Sequence, residues 1–175
     1  VDEKAAEVEA QTGTVVGRSE VDLFAYEADG YTWAVRAHET NLGDFVADAY
    51  LYYASNNGVM PDVAFVNGGG VRDNIKVGDI TYGDIIKVHP FGNEACLVEV
   101  TGQQIKDALE LGSAAYPGES GGFLQVSGLT YTINADIPSS VVKNDKSEFV
   151  KVDGAYRVSD IMVGGQPLDV SKTYT

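Results

Sequence analysis

Residues 63–72 read Val-Ala-Phe-Val-Asn-Gly-Gly-Gly-Val-Arg, an apolar run that passes into three glycines and an arginine. The four apolar residues predict a short buried strand. The glycines can adopt positive φ and bring their amides close to a ligand. Asn67 offers donors and acceptors at this loop, and Arg72 offers a planar cation suited to phosphate or carboxylate. Because tight turns also use glycine, the loop alone fits either a turn or a ligand site.

The length and composition of the chain indicate one globular domain. With 175 residues the chain can form a hydrophobic core of its own. A hydrophobic content of 44% and 10 tyrosines are typical of a folded protein and not of a disordered one. No apolar run reaches the length of a membrane span.

The formal net charge of −14 restricts the possible partners. Nucleic acid is disfavoured, because neutralising its phosphates requires clustered Lys and Arg. A small anionic substrate stays possible, because the Debye length at physiological salt is about 8 Å and local arginines therefore dominate a site. Strong acidity also favours solubility, which is a hint of a secreted or surface protein.

Helix and strand patterns are mixed along the chain without strict alternation. This mixture predicts an α/β or α+β domain with a mixed β-sheet and flanking helices. Helix starts are predicted at Thr40 or Asn41, at Thr81 with Asp84, and at Thr101 with Gln104. Strand-like stretches are residues 13–24, 123–133 and 149–163. Residues 1–10 resemble a short charged helix with few apolar residues to pack.

Structural roles are favoured for two candidate residues. Cys96 lies in the alternating stretch 94–100, which predicts a strand with a buried cysteine. Phe123 follows two glycines and could offer an aromatic face, but the strand pattern after it favours a core or strand-entry role.

Neither His38 nor His89 has neighbours at a metal-ligand spacing, and His89 is expected at the edge of a pocket.

The order of these motifs resembles the C-terminal, substrate-binding domain of the 5'-nucleotidase family, which includes nucleotide-sugar hydrolases and cyclic-nucleotide phosphodiesterases. The matching stretches are Arg36–Asp48, Val63–Asn74, Ile80–Asn93, Thr101–Leu109, Phe123–Ile133 and Val163–Tyr174. The resemblance implies that residues 1–12 are the end of an interdomain linker helix. It implies that residues 13–175 form the substrate-binding domain, with its last segment missing.

The resemblance also implies a set of substrate contacts. Arg36 and Arg72 would contact the phosphate, and Asn67 would contact the nucleoside. Phe91 would be the first of two rings that sandwich the base, and the second ring would lie beyond Thr175. The complete implied set is Arg36, Asn67, Gly69, Gly70, Arg72, Phe91 and Asn93. Judged on its own neighbours, Arg36 could equally be an exposed arginine at a strand end.

The family reaction is metal-assisted phosphoester hydrolysis, in which two divalent cations activate a water. The resemblance implies that their ligands belong to a separate N-terminal metallophosphoesterase domain. This chain also lacks a P-loop, a nucleophile elbow and a Cys-His pair. We therefore expect no cofactor and no turnover in this chain alone. The expected partners are a nucleotide or nucleoside and the N-terminal domain, in an extracellular, periplasmic or cell-surface protein.

Two alternatives stay open at this stage. The same fold could act on sugar nucleotides, cyclic nucleotides, or another phosphate or sulfur ester, and ligand competition would distinguish these. A non-catalytic surface module for binding or adhesion is also compatible with the acidity and the tyrosine content. In that case Phe91→Ala and Arg72→Ala would change no nucleotide signal, because there would be none.

Overall fold

The computed structural model describes Lys4, Val8 and residues 10–175. Its α-helices in this part are α1 Asn41–Asn56, α2 Tyr82–Val88 and α3 Gly102–Gly112, with 3₁₀ helices at Ala34–Arg36 and Gly68–Gly70. The strands are β1 Val15–Ser19, β2 Ala64–Asn67, β3 Gly78–Thr81, β4 Val100–Thr101, β5 Leu124–Ser127, β6 Leu129–Ile133, β7 Val141–Lys143, β8 Phe149–Val152, β9 Val158–Val163, β10 Gln166–Pro167 and β11 Thr173–Tyr174. The α/β fold class is confirmed.

The predicted helix at the N-terminus is described only in part. Lys4, Val8 and residues 10–12 are helical, and the other positions of residues 1–9 lie outside the described residues. The predicted strand at 13–24 is shorter than expected, because β1 ends at Ser19. Within the described part of the chain, no helix is long and apolar enough to cross a membrane.

Each of the three α-helices begins at a threonine cap, as the sequence predicts. The Thr40 side chain accepts a hydrogen bond from the first turn of α1. Thr81 and Thr101 form complete capping boxes with Asp84 and Gln104. These bonds satisfy amides that have no partner inside the first helical turn. The capping signals are local in sequence, so they fix where each helix starts.

The strands pair antiparallel in small sheets. The pairs are β1–β3, β2–β5, β4–β11 and β7–β8, and β6, β9 and β10 form a three-stranded sheet. In the β2–β5 pair, Asn67 lies opposite Leu124. Because the pairing is antiparallel, the glycine loop after Asn67 lies beside the residues that precede Leu124. This register brings residues 121–123 against residues 68–70.

Two hydrophobic clusters form the core. The first includes Val35, Val66 and Val71, which flank or directly support the glycine loop. The second packs around Ile105 and Leu109 of α3 and the three-stranded sheet. The loop therefore rests on a packed base. Phe123 is buried, which confirms the predicted core or strand-entry role.

The predicted strand around Cys96 is wrong. Residues 92–99 form neither helix nor strand and are all exposed, and Cys96 is exposed with them. Leu97 and Val98 leave 55% and 59% of their surface exposed. An alternating pattern forms a strand only where a neighbouring strand pairs with its backbone and covers its apolar face. No described strand pairs with this segment, and pairing resumes at Val100 in β4.

Arg157 joins β9 to the segments after α3, a contact that the sequence did not indicate. Its surface is only 4% exposed. The guanidinium donates hydrogen bonds to four main-chain carbonyls, those of Ser113, Ala114, Tyr116 and Ile137. Glu110, which is also buried, accepts the amides of Arg157 and Val158 through Oε2. This network fixes the second cluster against the chain after α3.

A cavity of about 310 Å³ lies between the start of α1 and strands β5 and β6. Asp44 lines this cavity together with Glu39, Tyr116 and Tyr131. Burial, together with the negative charges of Glu39 and Asp48, raises the pKa of the Asp44 carboxyl to about 6. Ionising Asp44 therefore costs more free energy in the folded protein than in the unfolded chain.

Asp44→Asn is expected to stabilise the protein at pH 7 and not at pH 3. The folded-state pKa of about 6 exceeds the ordinary value of 3.8, so wild-type stability falls as the pH rises between these two values. Removing the charge should raise the free energy of unfolding at pH 7 by about 1 kcal/mol, after allowance for solvent screening. Urea denaturation at both pH values measures this. Asp29→Asn is the control, and it should lower the free energy of unfolding at pH 7, because hydrogen bonds from Thr32 lower the pKa of Asp29. No gain for Asp44→Asn at pH 7 would contradict the prediction.

Candidate functional site

The glycine loop is shaped by close backbone contacts. A Cβ atom on Gly68 would lie 2.1 Å from the carbonyl oxygen of Val35, so only glycine fits there. The amide of Gly68 donates to the Phe123 carbonyl at 2.7 Å, and the amide of Gly69 donates to the Gly121 carbonyl at 3.0 Å. Two amides of the loop are thus bonded inside the protein. The loop contributes chiefly by placing the side chains on either side of it.

Arg36 and Arg72 meet at the ring of Trp33. The Arg36 Cζ atom lies 4.1 Å from the centroid of the Trp33 ring, and the Arg72 Cζ atom lies 4.8 Å from it. Arg36 ends a 3₁₀ helix and not a strand. Trp33, the single tryptophan of the chain, was missed in the sequence. Trp33 belongs to no periodic pattern of apolar residues that would predict a helix or a strand. The one sign of its role in the sequence was that it lies three positions before Arg36.

The two guanidiniums have no acidic partner among the residues that the structure describes. Neither forms a salt bridge with any residue that the structure describes. Arg72 Nη1 makes one long hydrogen bond, at 3.4 Å, to the Gly69 carbonyl. Arg36 Nε is buried and has no hydrogen-bond partner there. The chain has 26 acidic and 12 basic side chains, so two unpaired arginines at one place are unexpected unless the site takes an anion.

Phe91 presents an aromatic face beside Arg72. Its surface is 58% exposed, and the Arg72 Cζ atom lies 5.8 Å from its ring centroid. The ring follows α2 in a turn that continues through Gly92, whose φ is +60°. An exposed ring held between loop residues is available for stacking against a flat ligand. Its contact with a base stays a prediction.

Of the remaining site candidates, Asn67 and Gly70 lie at the glycine loop, and Asn93 lies outside it. The Asn67 side chain donates from Nδ2 to the Gly121 carbonyl at 2.9 Å, which holds the amide at the glycine loop. A Cβ atom on Gly70 would lie 3.2 Å from Asn67 Oδ1, so the two residues are neighbours. Asn93 lies in the exposed segment after Phe91, and its side chain makes no hydrogen bond to the described residues.

His89 lies close to the glycine loop, because a Cβ atom on Gly70 would lie 3.8 Å from its Cε1 atom, and its place at the edge of a pocket stays a prediction. Its Nε2 atom is 3.3 Å from the Tyr50 hydroxyl, and burial lowers the pKa of its imidazole. His38 instead contacts Glu27, whose carboxylate raises the pKa of that imidazole. Across the described residues, no three His, Cys, Asp or Glu side chains are grouped so that they could hold a metal ion.

Residues 15–175 match the family described as 5'-nucleotidase, C-terminal domain. The trifunctional nucleotide phosphoesterase protein YfkN of Bacillus subtilis is 41% identical over 132 residues, which are 75% of this chain and 9% of that protein. The 5'-nucleotidase of Vibrio parahaemolyticus is 36% identical over 145 residues, which are 81% of this chain and 24% of that protein.

A solved structure has the same fold. The 5'-nucleotidase precursor from Thermus thermophilus superposes with a TM-score of 0.74 at 33% identity, and the match covers 98% of this chain and 30% of that one. This chain therefore spans less than a third of each of these three relatives.

Proposed function

This chain belongs to the 5'-nucleotidase C-terminal domain family, and from that membership we propose that it is the substrate-binding part of a nucleotide-hydrolysing enzyme. The observation that supports this function best is that two guanidiniums without a salt bridge among the described residues share the Trp33 ring, and that one of them, Arg72, also lies beside the exposed Phe91 ring. Together they offer a cationic group for phosphate and a flat surface for a base. Both features of a nucleotide are thereby matched at one place.

Arg36 and Arg72 would bind the phosphate. A hydrogen bond between ionised groups contributes about 1.5–3 kcal/mol net, and a guanidinium can make two to one phosphate. The net charge of −14 does not prevent this, because the distant carboxylates are screened beyond about 8 Å at physiological salt. The local positive charge of the two arginines therefore decides which ligand enters.

Phe91 and Asn67 would bind the nucleoside. Stacking on an aromatic ring contributes about 1–3 kcal/mol for each base and tolerates different bases. Asn67 is exposed beside the loop, and its Oδ1 atom can accept a hydrogen bond from a ribose hydroxyl or a base amine. A site of this kind recognises nucleotides as a class.

Hydrolysis would take place at metal ions held by a separate metallophosphoesterase domain of the parent protein. The two divalent cations would activate a water and neutralise the leaving phosphate. This chain would present the nucleotide to them and would release no phosphate from AMP by itself. A parent protein outside the cytoplasm is part of the same proposal.

A ligand-observed NMR titration tests this function. The 175-residue chain is offered AMP, adenosine, UDP-glucose and inorganic phosphate, and Phe91→Ala is compared with Tyr31→Ala. Phe91→Ala should weaken AMP binding about tenfold through loss of stacking. Tyr31 is 76% exposed, and its ring forms no aromatic or cation–π contact within the described residues, so its variant should bind as wild type does.

Two outcomes of this titration would change the proposal. A stronger binding signal from UDP-glucose than from AMP in this titration would assign the site to sugar nucleotides. No contact between the folded chain and any of the four ligands would contradict nucleotide recognition.

A further inference from the structure

We infer that Trp33 is a positioning residue, which holds the guanidiniums of Arg36 and Arg72 against its indole ring before any ligand binds. This inference rests on the proposed function only in that the ligand is taken to carry phosphate. The arrangement of the three side chains is a property of the ligand-free protein and can be tested without a ligand.

The geometry around the indole supports this role. Both Cζ atoms lie within the distance of a cation–π contact from the same ring, at 4.1 Å for Arg36 and 4.8 Å for Arg72. The two guanidiniums can therefore be no farther apart than the sum of these two distances. That upper limit allows both guanidiniums to reach one phosphate group.

Two like charges that contact the same ring repel each other, and no carboxylate pairs with either of them among the described residues. The negative face of the indole ring partly offsets this repulsion. An acidic side chain in the same place would compete with the ligand for both guanidiniums. An aromatic ring attracts the cations and leaves their N–H groups free to donate.

Arg36 depends on Trp33 more than Arg72 does. Arg72 is also restrained by its bond to the Gly69 carbonyl and by the Phe91 ring. The Arg36 guanidinium makes no hydrogen bond to the described residues, and Trp33 is the one aromatic ring among them with which it forms a cation–π contact. Loss of the indole should therefore increase the mobility of the Arg36 side chain more than that of Arg72.

Trp33 is itself held in place from two sides. Its amide donates to Glu119 Oε1 at 3.0 Å. The Tyr26 ring packs on the indole with a centroid distance of 4.1 Å, and the Tyr26 hydroxyl donates to the main-chain carbonyl of Arg72. A fixed ring restricts two long side chains, which lowers the entropy lost when they order around a ligand.

Ligand-free NMR of the arginine Nε–H signals tests the arrangement directly. Near the indole face these protons are shifted by the ring current. Trp33→Leu should move the shifted Arg36 signal to the position of a free guanidinium, and Trp33→Phe should keep part of the shift. Tyr31→Leu is the matched control, because it removes an exposed aromatic side chain two residues away.

Binding measurements test the consequence. Trp33→Leu should bind inorganic phosphate about tenfold more weakly than wild type does, with adenosine affinity unchanged and most phosphate affinity restored in Trp33→Phe. If Trp33 had a merely structural role, Trp33→Leu would lower the affinity for phosphate and for adenosine together.

The outcomes separate this inference from the proposed function. If Trp33→Leu leaves the Arg36 signal and the phosphate affinity unchanged while wild type binds AMP, the role of Trp33 is overturned and the proposed function stands. If wild type binds neither AMP nor phosphate, the proposed function fails, and the ligand-free arginine signals still decide whether Trp33 positions the two guanidiniums.

Discussion

Arg157→Met is expected to lower the free energy of unfolding by about 3–5 kcal/mol. The substitution keeps an unbranched side chain but removes every hydrogen bond that the guanidinium makes. Four main-chain carbonyls then lose a donor at a site that is 4% exposed, where water cannot easily replace it. A domain of this size is stable by roughly 5–15 kcal/mol, so this loss is a large share of the total. Urea denaturation of wild type and variant measures it.

Arg18→Met is the matched control for this prediction. The Arg18 side chain is 73% exposed, and its ion pair with Asp79 has an N–O distance of 3.4 Å. An exposed pair of this kind contributes about 0–1 kcal/mol. Arg157→Met should therefore destabilise the protein far more than Arg18→Met does. Equal midpoints for the two variants would show that the carbonyl network does not hold the second cluster together.

The double substitution Arg36→Ala and Arg72→Ala is expected to weaken AMP binding by at least about 100-fold. Each guanidinium contributes about 1.5–3 kcal/mol to a charged ligand, which corresponds to roughly 10–150-fold in affinity. Both side chains are half-buried and neither forms a salt bridge in the described structure, so the fold should survive. Isothermal titration calorimetry measures the affinity. An equal loss in the control Arg18→Ala, which also removes an arginine, would show that only overall charge matters.

Local signals in the sequence predicted much of the fold. The threonine caps at Thr40, Thr81 and Thr101 depend on residues no more than three positions away, so they could be recognised directly. The strand before the glycine loop was likewise marked by its apolar run. Arg36, Arg72 and Phe91 were proposed from motif order, and the structure places both arginines against the Trp33 ring and Phe91 next to Arg72.

Contacts between distant parts of the chain could not be predicted. Arg157 reaches carbonyls that lie 20 to 44 residues away in sequence, and no pattern of apolar residues marks such a bond. Trp33 stacks on Arg72 only because the 3₁₀ helix after Trp33 packs against the glycine loop. Around Cys96 strand propensity was present, but none of the described strands pairs with this segment, and propensity without pairing does not form a sheet.

The difference between AMP and adenosine affinity tests the phosphate site most directly. Calorimetric titrations of both ligands at low salt should show that wild type binds AMP at least about tenfold more tightly than adenosine. This preference should shrink as the salt concentration rises and should vanish when Arg36 and Arg72 are both replaced by alanine. Equal affinities of wild type for AMP and adenosine would contradict a phosphate site at these two arginines.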